Sequence, residues 1–434
     1  MTSLIAEDVA NLVLSKFSSL PKRYKPRGLA GGGHEWTPLS AIVLSRANLE
    51  HVNDDVNKSE HDVVSIATGT KSLPESKLPK CNGLVLHDCH AEILAIRGFN
   101  YWLLRKIEGL LNDQVQSSDW VERVPLQPAS SECEDEQQGQ YCYPFRFRQG
   151  TQISLFSTTA PCGDASMELL MAASSSAEPW PEDKIVSGVP LGRGHFSLLG
   201  HLRRKPARAD AEISMSMSCS DKLMLSQFLG LLRFPVDLLM DSRSVKLDRL
   251  VVYPDEFDEI AYTRAFTPEG RLRSINRRVT QQGKFFNFAV LPPDFPPFQY
   301  SRPRMIPDRI VSRQIKVCNF SMLYVAGSSD RTADILVEQL VEGVRQGFKQ
   351  SDSRSAKGSV SCKNSLFNKV CDTVSKVTLS DDLPPALLEL SKYRGSYNML
   401  KCAELRLWKR NLKSSILQEL GGWPCKSYED DFVL

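Results

Sequence analysis

The 434-residue sequence has no apolar run long enough to cross a membrane: stretches such as Leu223 to Leu232 fall well short of the roughly 20 residues that a bilayer demands. Its first residues, MTSLIAEDVANLV, carry Glu7 and Asp8 where a secretory signal wants basic side chains. These absences lead us to expect an intracellular protein, cytoplasmic or nuclear, with no membrane partner. A disulfide framework is also missing. The eleven cysteines are irregularly spaced and unaccompanied by a secretory signal, so they read as free thiols and metal ligands. Nor is there a large charge of one sign; the net +3 does not by itself announce nucleic-acid binding, although basic residues cluster locally. No internal repeat is visible, and the 41% apolar content is enough for a globular core.

Strand and helix patterns alternate along the chain. Ile5, Val9, Leu12 and Phe17 mark one helical face, and a basic loop from Pro21 to Gly28 follows. Thr37 to Ser45 and Asp62 to Thr68 alternate like strands, as do Gln152 to Ser157, Arg249 to Tyr253 and Phe285 to Leu291. Ile96, Phe99, Leu103 and Ile107 recur at helical spacing, which puts His90 and Glu92 in that helix's first turn. Pro161 predicts a helix over Pro161 to Ala173, with Cys162 at its mouth. Helices are also expected from Cys219 to Leu232 and through most of Leu387 to Leu420, where Leu405, Trp408, Leu412, Ile416 and Leu420 share a side. Residues 128–140, acidic and almost without apolar side chains, read as a disordered insertion. The whole is an α/β pattern, with helices expected on both faces of a sheet.

His90-Ala91-Glu92 followed by Pro161-Cys162 is the first half of the zinc-deaminase signature, H-x-E then P-C-x-x-C. Imidazole and thiolate hold Zn²⁺ tetrahedrally, and three protein ligands leave a fourth position for a water whose pKa falls toward neutrality. Two residues apart lie about 200° around a helix, so His90 and Glu92 can share a site only at a helix end. A helix N-terminus would also favour a Cys162 thiolate. The second cysteine of the signature is absent, since Ala165 stands there, and Cys219 in the segment MSCSDK is the best candidate for a third ligand. Taken singly, His90 and Glu92 read as a capped helix start, and the two cysteines as small buried apolar groups; together they read as a site. His87 and Cys89 match no ligand position and are left outside it.

The segments ATGTK (67–71), DCHAEI (88–93), PCGDAS (161–166), SMSCSDK (216–222) and the tail GGW with Lys426 resemble the eukaryotic tRNA-specific adenosine deaminases and the deaminase domains of the double-stranded-RNA adenosine deaminases. The likeness runs from about residue 36 to the C-terminus. With no double-stranded-RNA-binding module visible, and with the basic run HLRRKPARAD (201–210), the chain is more similar to the tRNA enzymes. The resemblance implies one deaminase domain over residues 1–434: a cytidine-deaminase-like α/β/α core with an enlarged, largely helical C-terminal extension. It implies hydrolytic conversion of adenosine to inosine, with His90, Cys162 and Cys219 on zinc, a zinc-bound water as nucleophile and Glu92 as proton shuttle. In that family the target is adenosine 37, just 3′ of the anticodon of alanine tRNA.

The family also buries inositol hexakisphosphate. Matching positions here are Arg97, Lys222, Lys363, Tyr397, Lys401, Trp423 and Lys426, while Ile96 stands where a second arginine is usual, Leu225 and Ser226 where arginine and tryptophan are usual, and Lys392 is displaced by one. For contact with RNA the resemblance points to Thr70 and Lys71, and the local charge to Arg203, Arg204, Lys205 and Arg208. An anticodon-loop adenosine, already unpaired, is a cheaper substrate than one inside a duplex. No obligate protein partner is expected. The alternatives are a catalytically silent zinc-containing RNA-binding protein and a deaminase acting on messenger RNA; Glu92 argues against the first, because a silent homologue has no use for it.

Overall fold

A computed structural model describes residues 2–30, 33–46, 60–112, 117–124, 143–172, 189, 192, 198–205, 211–303, 316–327, 334–377, 395–403, 406–423 and 432. The chain opens with helix α1 (Thr2–Ser19), then strands β1 (Leu39–Arg46), β2 (Glu60–Thr68), β3 (Thr70–Ser72) and β4 (Asp88–His90), and helix α2 (Ala91–Asn112). Strands β5 (Val121–Arg123), β6 (Phe145–Phe147) and β7 (Gln152–Ser157) lead to helices α3 (Met167–Ala172) and α4 (Cys219–Leu229). After β8 (Arg249–Val252) come α5 (Glu259–Phe266), α6 (Arg277–Thr280), β9 (Asn287–Val290), β10 (Ser321–Val325), β11 (Leu336–Val341) and β12 (Val344–Arg345). The C-terminal part supplies α7 (Lys363–Val377), α8 (Tyr397–Lys401) and α9 (Leu407–Glu419).

Eight strands form one sheet in the order β12-β11-β10-β2-β1-β7-β8-β9, with β7, β8 and β9 mutually parallel and the remaining pairs antiparallel. The central strand β1 is buried on both faces, which is why its sequence, LSAIVLSR, lacks a polar edge of charged residues until its end. On one face α1 packs Ala6, Val9, Ala10, Val13 and Phe17 against Val43, Ile66 and Phe156. On the other, α2 brings Phe99, Trp102, Leu103 and Ile107 into a larger cluster shared with α4, α7 and α9. Each such large side chain, fully buried, contributes on the order of 1.5–3 kcal/mol. The result is the expected three-layer α/β/α core with helices appended at the C-terminal end.

Most elements begin and end near their expected bounds; two expectations need amendment. The helix predicted from Pro161 starts at Met167, because Gly163 takes φ 108° and turns the chain, and only a short 3₁₀ turn over Asp164–Ser166 precedes it. In Leu387 to Leu420 the described helices are α8 and α9; Leu405 lies outside the described residues, as does the insertion at 128–140.

Candidate metal centre and active site

The hairpin of β3 and β4 sets Thr70 opposite His90 and Lys71 opposite Cys89. His90 ends β4 and Ala91 begins α2, so Glu92 falls in the helix's first turn, as its spacing required. Cys162 sits in the turn after β7, and Cys219 is the first residue of α4, whose cap is Ser218 accepting from the Asp221 N–H. Three separate chain segments thus converge. The His90 Nδ1 lies 3.7 Å from the Cys162 Sγ and 3.6 Å from the Cys219 Sγ. Tetrahedral zinc with its usual Zn–N and Zn–S lengths would set such atoms about 3.6–3.8 Å apart, so the three residues fit that ion in spacing and in donor chemistry. They are the one His/Cys/Asp/Glu group of this kind among the described residues.

The helix end that faces Cys162 is not its own but that of α4: the Cys219 N–H donates to the Cys162 Sγ at 3.3 Å. Ser220 reinforces the latch, its N–H donating to the Cys162 carbonyl at 3.0 Å and its hydroxyl to that of Pro161 at 2.9 Å. A hydrogen bond from the Cys219 thiol, with the charges of Lys205 and His90, holds the Cys162 thiol well below its ordinary range. Glu92 is 3% exposed. Burial, then the neighbouring Cys162 charge, raises its carboxyl, the bias a proton shuttle needs. Cys89, by contrast, is a buried thiol pushed up to about 12 by desolvation and by Asp88.

Behind this cluster Asp88 gathers a set of donors. It accepts from Lys205 Nζ through both oxygens at 2.8 Å, from the Ser216 hydroxyl at 2.9 Å, from the His90 N–H at 3.0 Å, and from Lys222. Lys205 also reaches the Cys219 Sγ at 3.6 Å. This overturns part of the sequence reading. Arg203 and Arg204 are 0% exposed and Lys205 4%, so the basic run faces inward. Arg203 donates to the carbonyls of Gly192 and Leu198, and Arg204 packs on the Met215 sulfur; neither can reach an RNA phosphate. Arg208 lies outside the described residues. Thr70 and Lys71, half-buried on β3, stay beside His90.

A second cluster of cations surrounds the segment from Leu232 to Asp237. Arg97 donates to the Ser361 carbonyl, and Lys363 lies 6.0 Å from the Tyr397 ring centre. Tyr397 itself packs edge-on against Phe234. Sequence reasoning missed three members: Arg233, beside Arg97, and Arg406 and Lys409, which share Asp237. Burial and the neighbouring Arg97 charge push Arg233 down to about 10, and burial pushes Lys409 down to about 8. Among the described residues neither Arg97 nor Arg233 pairs with a carboxylate. Lys401 and Trp423 are half-buried nearby in sequence to this set, and Lys426 lies outside the described residues. Ile96 is fully buried among apolar side chains, and Leu225 and Ser226 are buried too, so the positive charge comes from other positions. The missed residues carry no local motif; only the fold brings them beside Arg97.

A twisted α/β/α core with a His/Cys/Cys cluster and a buried carboxylate at one helix start defines a deaminase. The adenosine-deaminase (editase) domain model matches residues 65–427; the chain belongs to that family and is an enzyme that deaminates adenosine. It is 30% identical over 363 residues to tRNA-specific adenosine deaminase 1 of Schizosaccharomyces pombe, covering 83% of each chain. With tRNA-specific adenosine deaminase 1 of Saccharomyces cerevisiae it shares 32% over 233 residues, about half of each chain (51% and 52%). The double-stranded RNA-specific editase Adar of Drosophila melanogaster is 22% identical over 75% of this chain and 42% of its own.

Proposed function

We propose that this enzyme converts adenosine to inosine in tRNA with zinc as its metal, and that the target is adenosine 37 of alanine tRNA. The observation that carries the zinc-dependent reading is the convergence of His90, Cys162 and Cys219 at tetrahedral spacing beside buried Glu92. The names of the two fungal relatives support tRNA as substrate. Bound there by the three side chains, zinc supplies Lewis-acid activation of a water. Glu92 would take a proton from the attacking water and give it to the purine N1, then take the remaining proton of that oxygen, now bonded to C6, and give it to the amino group as the C6–N6 bond breaks, yielding inosine and ammonia. Lys205 and the α4 N-terminus favour the Cys162 thiolate. Thr70 and Lys71, across the hairpin from His90, bind the target nucleotide, which must be unstacked to enter. The work is intracellular, in the cytoplasm or nucleus, where tRNA is found.

We further propose that inositol hexakisphosphate neutralises the cations around Leu232 to Asp237. Arg97, Lys222, Lys363, Tyr397, Lys401, Trp423 and Lys426 would hold it, joined by Arg233. The support is physical: Arg97 and Arg233 lie beside each other without a carboxylate partner among the described residues, and burial with the Arg97 charge pushes Arg233 down to about 10, a cost that a bound anion would relieve. Acid extracts of the denatured protein should release about one equivalent of the polyphosphate; none would refute this part.

To test the main reading, purified protein is incubated with total tRNA and inosines are mapped, with Glu92→Ala in parallel. Inosine at position 37 of alanine tRNA, abolished in a variant that keeps its zinc, is the expected result. Inosine formation indifferent to the substitution would sink the mechanism.

A further inference from the structure

With Arg203, Arg204 and Lys205 internal, phosphates of a bound RNA must meet cations elsewhere. Two cavities flank the hairpin of β11 and β12. Its two-residue turn, Glu342-Gly343, takes φ 51° and 82°, the left-handed pair that lets strands with right-handed twist join tightly. The turn is pressed onto the chain just before β4: the Leu86 N–H donates to the Gly343 carbonyl at 2.9 Å, and a Cβ on Gly343 would lie 2.4 Å from the Leu86 carbonyl oxygen. The hairpin is thereby fixed next to the strand that ends in His90.

The first cavity, about 360 Å³, is lined by Arg27, Lys71 and Lys316 with the amides of Asn319, Gln339 and Gln346. The second, about 480 Å³, is lined by Lys77, Lys80 and Lys349 with Gln350, and both reach Val341. Two of these cations are answered, Lys316 by buried Glu35 at 3.5 Å and Lys77 by Glu342 at 3.1 Å. Arg27, Lys71, Lys80 and Lys349 have no carboxylate partner among the described residues. Positive charge therefore lines both cavities, beginning at Lys71 on β3, and in the first it is interleaved with the side-chain amides of Asn319, Gln339 and Gln346, which can pair with base edges. Cations with amides suit a nucleic-acid strand, which presents regularly spaced phosphates together with base edges.

We propose that the two cavities form one track for the tRNA backbone beside the target adenosine. Arg27 and Lys71 take the phosphates nearest the editing site, and Lys80 and Lys349 take those further along. This rests on the tRNA-deaminase reading and adds to it the residues that hold the flanking strand.

The test uses the full chain carrying Arg27→Gln, Lys80→Gln and Lys349→Gln together. All three side chains are exposed, so the fold has no stake in them; equal melting temperatures verify this. Binding of alanine tRNA is measured across a salt series. Three lost phosphate contacts should make the log–log salt slope shallower by about 2 and raise Kd roughly tenfold or more at physiological salt. A control pair, Arg277→Gln with Arg278→Gln, removes exposed charge on α6 and should leave both quantities unchanged. Unchanged slope and Kd in the triple variant, while wild type makes inosine, would overturn the track alone. A wild type that neither binds nor edits tRNA would overturn the function and the track together. Competition by polyglutamate as effective as by tRNA would reassign the surface to an acidic protein.

Discussion

Gly163 is the residue on which the closure of the His90, Cys162 and Cys219 cluster turns. It adopts φ 108° and ψ −143°, a conformation open to glycine but strained for any L side chain. A Cβ added there would stand 2.3 Å from the Ser218 Oγ and 2.5 Å from its Cβ. Ordinary contact needs roughly 1 Å more, so Gly163→Ala must drive the Cys162 turn away from the start of α4. It would do so against the Ser220 and Cys219 hydrogen bonds that latch the two together. Backbone strain alone costs about 1–3 kcal/mol, and each strained hydrogen bond about 1 kcal/mol more. A ~1 Å displacement also exceeds the roughly 0.2 Å tolerance of metal–ligand distances. Zinc affinity should therefore fall at least a hundredfold in competition with a chromogenic chelator, and inosine formation should fall with it. Ser218→Gly in the same chain removes the clash but not the φ strain, so it should restore part of the affinity. Stoichiometric, chelator-resistant zinc and full activity in Gly163→Ala would refute the reasoning.

Two other perturbations follow. Asp88→Asn leaves the ammonium groups of buried Lys205 and half-buried Lys222 without a counter-charge, and such breakage costs about 3–5 kcal/mol; a urea midpoint equivalent to less than 1 kcal/mol of loss would contradict the assignment. Lys409, pushed down to about 8 by burial, binds its proton less well folded than unfolded. Protein stripped of any bound anion should therefore gain stability as pH rises from about 8 toward the ordinary lysine value near 10.4, by up to about 3 kcal/mol. Denaturation midpoints measured across that window should rise in wild type relative to Lys409→Met, and equal slopes would rule out the shift.

The His/Cys/Cys cluster and its buried carboxylate were legible because each member lies where local pattern and chemistry coincide: His90 and Glu92 at the start of an apolar helix, Cys219 at a capped helix start. The strands were legible because β1, β2 and β7 alternate or run apolar within short stretches. What local pattern could not convey was which way a charge faces. The run at Arg203 reads as a solvated basic patch, yet its partners are Asp88, far away in sequence, and carbonyls of folded loops. Arg233, Arg406 and Lys409 were invisible for the same reason, since Asp237 and Arg97 become their neighbours only in the assembled core. The start of α3 was misplaced because Pro161 reads as a first-turn proline, whereas the left-handed Gly163 ends that possibility two residues on.

The small net charge of +3 thus conceals two populations of cations with different physics. Those inside, around Asp88 and the Leu232 to Asp237 segment, sit where salt screens poorly and compensation must be built in. Those outside, at Arg27, Lys80 and Lys349, are hydrated and screened. An anion held by the first set becomes part of the fold and exchanges only when the core opens. A strand held by the second binds and leaves with changes in ionic strength. The two polyanions proposed for this enzyme would in this way be kept apart by burial instead of by sequence: added salt should strip tRNA from the protein long before it disturbs the interior.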